Sequence, residues 1–229
     1  MKKLCAFASV FGVMFALIIV AGPGFSKSSS TKCVAVYYDN SKVIESFTKL
    51  LSNFSDFQQF FIPLGQYEAG SLEKCQANFV INTEFDNQVS RKLVEDYLSS
   101  RRNVVWMGYN IWHLGEQLNK KLGLRYMGSI SKVRDENCAL LYRGHAVRCE
   151  ESSLSMQPDL VPTNEVRIQI MAESRARGRE LAPYIVRAGN LFYMADVSFG
   201  EVFRDLLTEF IGSPMRIKPL KSQQVAGSR

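Results

Sequence analysis

The sequence is short of the residues on which most recognisable site chemistry depends. Its 229 residues include only two histidines, His113 and His145, which stand alone, and there is no Cys-x-x-Cys. The usual ligand spacings of a zinc site are therefore missing, and no metal is expected. No GxxxxGK[ST] occurs and no GxGxxG follows the first apolar run. The backbone cradles that hold nucleotide and dinucleotide phosphates are absent, so no cofactor is expected either. Charge of one sign is also scarce. The formal net charge is +6, and setting aside residues 1–26, with Lys2 and Lys3 and no acids, lowers it to +4. So small a surplus argues against a nucleic-acid partner. Pro-rich and Ser-rich linkers are missing from the interior, and there is no internal repeat. About 200 residues without a break are enough for one well-buried domain.

The N-terminus is rich where the rest is spare. Lys2 and Lys3 precede a nearly uninterrupted apolar run from Leu4 to Ala21, closed by Gly22-Pro23-Gly24 with small residues after it. This pattern predicts an export signal over residues 1–26 and a periplasmic or secreted protein. The alternative is an uncleaved N-terminal anchor, since the run approaches the roughly 18 apolar residues of a membrane span. A membrane partner is expected only in that case. Residues 27–213 then form a single α/β domain, strand-rich over about 128–198. The basic stretch 214–229, poor in core residues, is expected to be disordered.

Export changes the meaning of the cysteines. Four follow the signal, Cys33, Cys75, Cys138 and Cys149, an even number in an oxidising compartment. Cys138 and Cys149 flank a hairpin-like segment turning near Arg143-Gly144, which makes them candidate partners. Cys33 would then pair with Cys75. Four reduced, buried thiols are the alternative, because sequence does not supply Cα separations.

The first half alternates strand and helix. Val34–Tyr38, Phe60–Leu64, Phe79–Ile81 and Val104–Met107 are short β-rich runs. Between and after them, apolar residues recur at helical spacing: Ile44, Phe47, Leu51 and Phe54; Val89, Leu93 and Tyr97; Ile111, Leu114, Leu118 and Leu122. Such βαβ crossovers predict a flavodoxin-like parallel sheet with helices on both faces. The second half is β-rich, with short strands expected at 130–133, 139–142, 166–171, 184–187 and 191–194. A closing helix carries Val202, Phe203, Leu206, Phe210 and Ile211. The arginines of SRARGRE, Arg175, Arg177 and Arg179, suit either an anion patch or a solvated hairpin loop.

Ligands of open α/β sheets bind beyond the strand C-termini. That edge collects Asp39-Asn40-Ser41, Asn82-Thr83-Glu84 and the turn Gly108-Tyr109-Asn110, where a strand runs sharply into a helix. A nucleophile elbow has this form, but Asn110 stands where Ser or Cys would act. His113 has no evident carboxylate partner in the sequence. The candidate ligand-binding residues are Asp39, Asn40, Glu84, Tyr109 and Asn110, with Trp112 as an aromatic platform; no catalytic residue is assigned.

Three segments, VAVYYD, VVWMGYNIWHL and APYIVRAGNLFYMADVSFGEVFRDLL, together resemble the N-terminal, non-catalytic domain of an uncharacterised family of polysaccharide-deacetylase-like proteins. The resemblance spans most of residues 33–212. It implies a class I glutamine-amidotransferase-like fold and an exported accessory or binding role in cell-envelope polysaccharide metabolism, with a glycan or an envelope enzyme as partner. Deacetylase activity is not implied, since the Asp-Asp and His-x-x-x-His ligand pattern is absent. The alternatives are a carbohydrate-active hydrolase using Asp39 or Glu84 as general base, and a structural or adaptor protein.

Overall fold

The computed structural model describes residues 32–131, 139–149, 154–176 and 179–212. The expected signal segment, the basic tail, Cys138 and Arg177 lie outside the described residues. Among the described residues no helix is long and apolar enough to cross a membrane.

The chain forms a large mixed sheet with few helices. Strands β1 (Cys33–Tyr38), β2 (Gln58–Pro63), β3 (Ala77–Asn82) and β4 (Asn103–Gly108) are joined by helix α1 (Lys42–Leu51), short 3₁₀ turns and helix α2 (Arg91–Ser99). After β4 come a 3₁₀ turn (Ile111–Leu114), α3 (Glu116–Leu122), β5 (Leu124–Ser131), β6 (Ala139–Tyr142), β7 (His145–Arg148) and β8 (Met156–Pro162). The chain continues through β9 (Gln169–Ala176), β10 (Arg179–Ala188) and β11 (Leu191–Met194) to α4 (Glu201–Ile211). The sheet order is β2-β1-β3-β4-β11-β10-β9-β6-β7, and β5 pairs with β8 separately. Strands β2, β1, β3, β4 and β11 run parallel. The rest of the sheet is antiparallel. Strand order reverses between β1 and β3, so the ends of these two strands flank the position where such sheets carry ligands.

Burial explains the parallel half. Every residue of β3 is buried, as are five of the six in β1 and in β4, the near-continuous apolar pattern of strands covered on both sides. In α1 the buried residues Val43, Phe47 and Leu51 recur every fourth position and form one stripe. Phe47 packs on Phe79 and Phe203, and Phe210 packs on Phe79 and Phe192. Each fully buried ring is worth about 1.5–3 kcal/mol of transfer free energy. Helix α4 ends at Gly212, whose positive φ and N–H bond to Thr208 O terminate it. The Asn103 amide also donates to Glu209 O and Phe210 O, fastening that end to the start of β4.

Several boundaries differ from the sequence expectation. The helix expected to carry Ile111 through Leu122 is broken: Gly115 has φ +54°, so a 3₁₀ turn precedes it and α3 begins only after it. Val89 precedes the Ser90 N-cap of α2 instead of lying on its face. The strand expected at 130–133 lies at Leu124–Ser131, and those expected at 166–171 and 184–187 lie at Gln169–Ala176 and Arg179–Ala188. Strand β8 has no counterpart among the expected strands, because Pro158 and Pro162 argue against one. It is tolerated in a two-stranded ribbon. Arg143 and Gly144, both with positive φ, form the β6–β7 turn.

Cys33 and Cys75 are joined by a disulfide with Cα atoms 4.9 Å apart, linking the first residue of β1 to the segment just before β3. Cys149 is also disulfide-bonded. Its expected partner Cys138 lies outside the described residues.

Candidate functional site

The turn after β4 is built around a glycine that admits no substitute. Gly108 has φ +82°, and a Cβ there would lie 2.2 Å from Asn82 O and 2.9 Å from the Val197 Cγ2 methyl. The missing side chain lets β3 and β4 close on each other, and the Tyr109 N–H donates to that same Asn82 carbonyl at 2.9 Å. Asn110 follows in the left-handed region, φ 66° and ψ 6°, a conformation that Asn tolerates better than most residues. The strained position of the elbow is thus Asn110 itself.

Asn110 does not project from the elbow. Its side chain has no solvent exposure, and its Nδ2 donates to Glu84 O at 3.0 Å. It therefore ties the loop after β3 to the loop after β4, and its Oδ1 has no hydrogen-bond partner among the described residues. Tyr109 is buried too. Its hydroxyl accepts from Met156 N at 3.1 Å, anchoring the elbow to β8, while its carbonyl accepts from Trp106 Nε1 at 2.9 Å. The expectation that Tyr109 and Asn110 present polar atoms to a ligand meets this burial: in this conformation both serve as internal ties.

Asp39 has a comparable inward role. Its Oδ2 accepts from Thr83 N at 2.7 Å and Glu84 N at 2.8 Å, and its Oδ1 accepts from Thr83 Oγ1 at 2.9 Å. Two successive backbone N–H groups and a hydroxyl make an anion-binding concavity. It lies at the point where strand order reverses, and the chain fills it with its own carboxylate. Asn40 accepts from Lys42 N at 3.0 Å, so the start of α1 is capped by Asn40, while the Ser41 side chain makes no capping bond.

Solvent meets different groups at this edge. Phe85 is 50% exposed at the tip of the loop after β3. Its ring lies 5.3 Å from Tyr109 and 5.3 Å from Trp112, and Trp112 stacks on Tyr126 at 5.0 Å with an interplanar angle of 26°. Asp86, in the left-handed region at φ 55°, accepts from Trp112 Nε1 at 3.3 Å. His113 Nε2 lies 3.9 Å from Asp86 Oδ1, so the histidine has a carboxylate neighbour that the sequence did not reveal. Glu84 is exposed, and Asn87 Nδ2 donates to it at 3.4 Å. The edge thus offers an aromatic strip, Phe85–Trp112–Tyr126, bordered by Glu84, Asp86 and His113. Ring faces beside carboxylates suit stacking on apolar sugar faces with hydrogen bonds to hydroxyls.

Of the six sequence candidates, the structure brings Asp39, Glu84 and Asn110 together through backbone groups of the Thr83–Glu84 turn, and sets Trp112, half-buried, between Phe85 and Tyr126. Phe85, Asp86 and Tyr126 were missed. A phenylalanine flanked by acids directly after a buried strand is the signal that would have found the first two. Among the described residues no group of three His, Cys, Asp or Glu is disposed to hold a metal ion.

No family model matches this sequence, and no curated protein matches it. Among solved structures the chain is similar to a ThuA-like protein of Bacteroides uniformis. The TM-score is 0.58 at 14% identity, over 85% of this chain and 96% of that one. The chain therefore shares the fold of that ThuA-like protein. It is also similar to part of Gan42B, a GH42 β-galactosidase of G. stearothermophilus, with TM-score 0.51 and 11% identity over 80% of this chain and 30% of that enzyme. At these identities the likeness concerns the fold alone.

Proposed function

We propose that the chain is an exported, non-catalytic accessory or binding domain associated with cell-envelope polysaccharide metabolism, taking a glycan along its strand C-terminal edge. The observation that carries this reading is the aromatic strip of exposed Phe85 and half-buried Trp112 and Tyr126, bordered by Glu84, Asp86 and His113. Covering the apolar face of a sugar with such rings contributes about 25 cal/mol per Å² of apolar surface removed from water.

The finer architecture belongs to the same reading: a flavodoxin-like, class I glutamine-amidotransferase-like sheet with helices on both faces, related to domains that accompany polysaccharide deacetylases. Two packing contacts support it. Phe79 meets Phe47 of α1 and Phe210 of α4. Trp106, out of phase with Phe79 in the β3–β4 register, meets Tyr97 of α2. Similarity to part of a β-galactosidase adds a fold-level analogy. For the hydrolase alternative, Asp39 is a poor base, since breaking its three bonds would release two backbone N–H groups. Glu84 is the carboxylate left for that role.

The test is glycan-array binding by the full chain, followed by titration of the best ligand against Trp112→Ala and Phe85→Ala. Each substitution is expected to weaken binding about tenfold, the equivalent of about 1.4 kcal/mol, with the circular dichroism spectrum unchanged. Binding that survives in both variants removes the strip as the site.

A further inference from the structure

Among the described residues, strand β2 forms one edge of the main sheet with no strand on its outer side, and that side is arranged for one kind of neighbour. Gln58 N donates to Lys32 O at 2.9 Å, so Gln58, Phe60 and Ile62 direct their backbone groups toward β1. The alternate residues Gln59, Phe61 and Pro63 direct theirs outward. Pro63 has no N–H to offer. The open edge therefore presents complete donor–acceptor pairs at Gln59 and Phe61, two residues apart, with an acceptor alone at Pro63.

All six residues of β2, QQFFIP, are uncharged. Edge strands are ordinarily blunted by charge, above all lysine, and the opposite edge, β7, carries His145 and Arg148. Beside the open edge lies a groove of about 500 Å³, walled by Tyr37, Phe60 and Ile62 on the sheet and by Glu68 and Lys74 beyond it. Phe60 is 38% exposed there. The other face of the strand is occupied, with Gln59 Nε2 donating to Leu51 O at 3.0 Å at the end of α1.

We infer that this edge pairs with β2 of a second copy of the chain, antiparallel about a two-fold axis at Phe60, joining two sheets into one. Only this register lets each Gln59 face Phe61 of the other copy, so that both pairs exchange N–H···O bonds. Centring on Phe61 would set Gln59 against Pro63 and lose a donor at each end. Phe60 then lies opposite its own symmetry mate in a non-hydrogen-bonded pair, with Cα atoms about 4.5 Å apart. Asp56 falls opposite Leu64 of the second copy, so no like charges meet. An uncharged edge with this spacing complements itself, as an isologous interface requires.

Sedimentation of the full chain over a concentration series is expected to show a monomer–dimer equilibrium, with Gln59 and Phe61 amides gaining protection from hydrogen exchange as the dimer forms. The Phe60 amide, already bonded to β1, keeps its protection throughout. Phe60→Asp and Phe60→Lys should each sediment as monomers, and an equimolar mixture of the two should dimerise. A chain that stays monomeric up to about 1 mM overturns the inference, as does a dimer that persists in Phe60→Asp. Protection of Gln59 and Phe61 by an added extended peptide, without self-association, also overturns it and assigns the edge to another protein.

Discussion

Replacing Gly108 by alanine separates two costs that usually arrive together. The left-handed backbone alone costs a residue with a Cβ about 1–2 kcal/mol. At Gly108 the added methyl would also lie 2.2 Å from Asn82 O and 2.9 Å from Val197 Cγ2, so the carbonyl must retreat. Such overpacking costs about 1–3 kcal/mol. The retreat also weakens the Tyr109 N–H bond to the same oxygen, worth about 0.5–1.5 kcal/mol. Gly108→Ala should therefore lose about 3–6 kcal/mol, a large share of the 5–15 kcal/mol of a typical domain. Gly70 and Gly144 supply the control, since φ is +79° and +78° and an added methyl would meet no heavy atom within 4 Å. Their alanine variants should lose only the backbone cost. In urea, with a slope of about 2 kcal/mol/M, the midpoint of Gly108→Ala should fall about 0.75–2.25 M below those of the controls. Equal midpoints for all three variants would refute the close approach of β3 and β4 as the reason for glycine.

Asp39→Ala should cost about 2–4 kcal/mol, because charge-assisted bonds to two backbone N–H groups are lost at a partly exposed site. Thr83→Val, which removes only the hydroxyl donor, should cost about 1 kcal/mol. Urea denaturation gives both values, and amide exchange at Thr83 and Glu84 should quicken only in Asp39→Ala. Stability should also fall at high pH. Burial pushes the Tyr37 phenol up to about 12 and raises Tyr67, Tyr97, Tyr142 and Tyr193 as well. The fold favours the neutral phenols, so their contribution is complete below pH about 10 and is lost as pH rises through about 12. Tyrosinate absorbance should include a late cooperative step coinciding with loss of the circular dichroism signal. A single smooth titration of all nine tyrosines near pH 10 in a folded chain would contradict this.

The parallel half was legible because its strands are buried on both sides and read as unbroken apolar runs, and because Phe47, Leu93 and Tyr97 recur at helical spacing. The bounds of β11, Leu191–Met194, could be read off the turn at Gly189-Asn190. That β11 lies beside β4 could not be read, since the pairing of Val104 with Leu191 joins residues far apart in the chain. At the candidate site, the sequence placed the turns after β1, β3 and β4 along one edge, and Asp39, Glu84 and Asn110 do meet there. What it could not supply was direction. A carboxylate after a buried strand has the same sequence context whether it faces solvent or, like Asp39, the backbone of the next loop. Phe85 escaped notice for the opposite reason, since a lone aromatic in a polar loop has no period.

The insertion of β5 to β10 between β4 and β11 has a consequence for biosynthesis. The strands Cys33–Tyr38, Ala77–Asn82 and Asn103–Gly108 can pair as soon as they are made, but Asn103–Gly108 gains its other neighbour only when Leu191–Met194 appears. About 80 residues separate the two, which at roughly 5–20 residues per second is several seconds of translation. Throughout that interval the nascent sheet ends in Val104, Val105, Trp106 and Met107, residues fully buried in the finished protein. The growing chain thus carries a temporary sticky margin, and any truncation before Leu191 leaves it permanently bare.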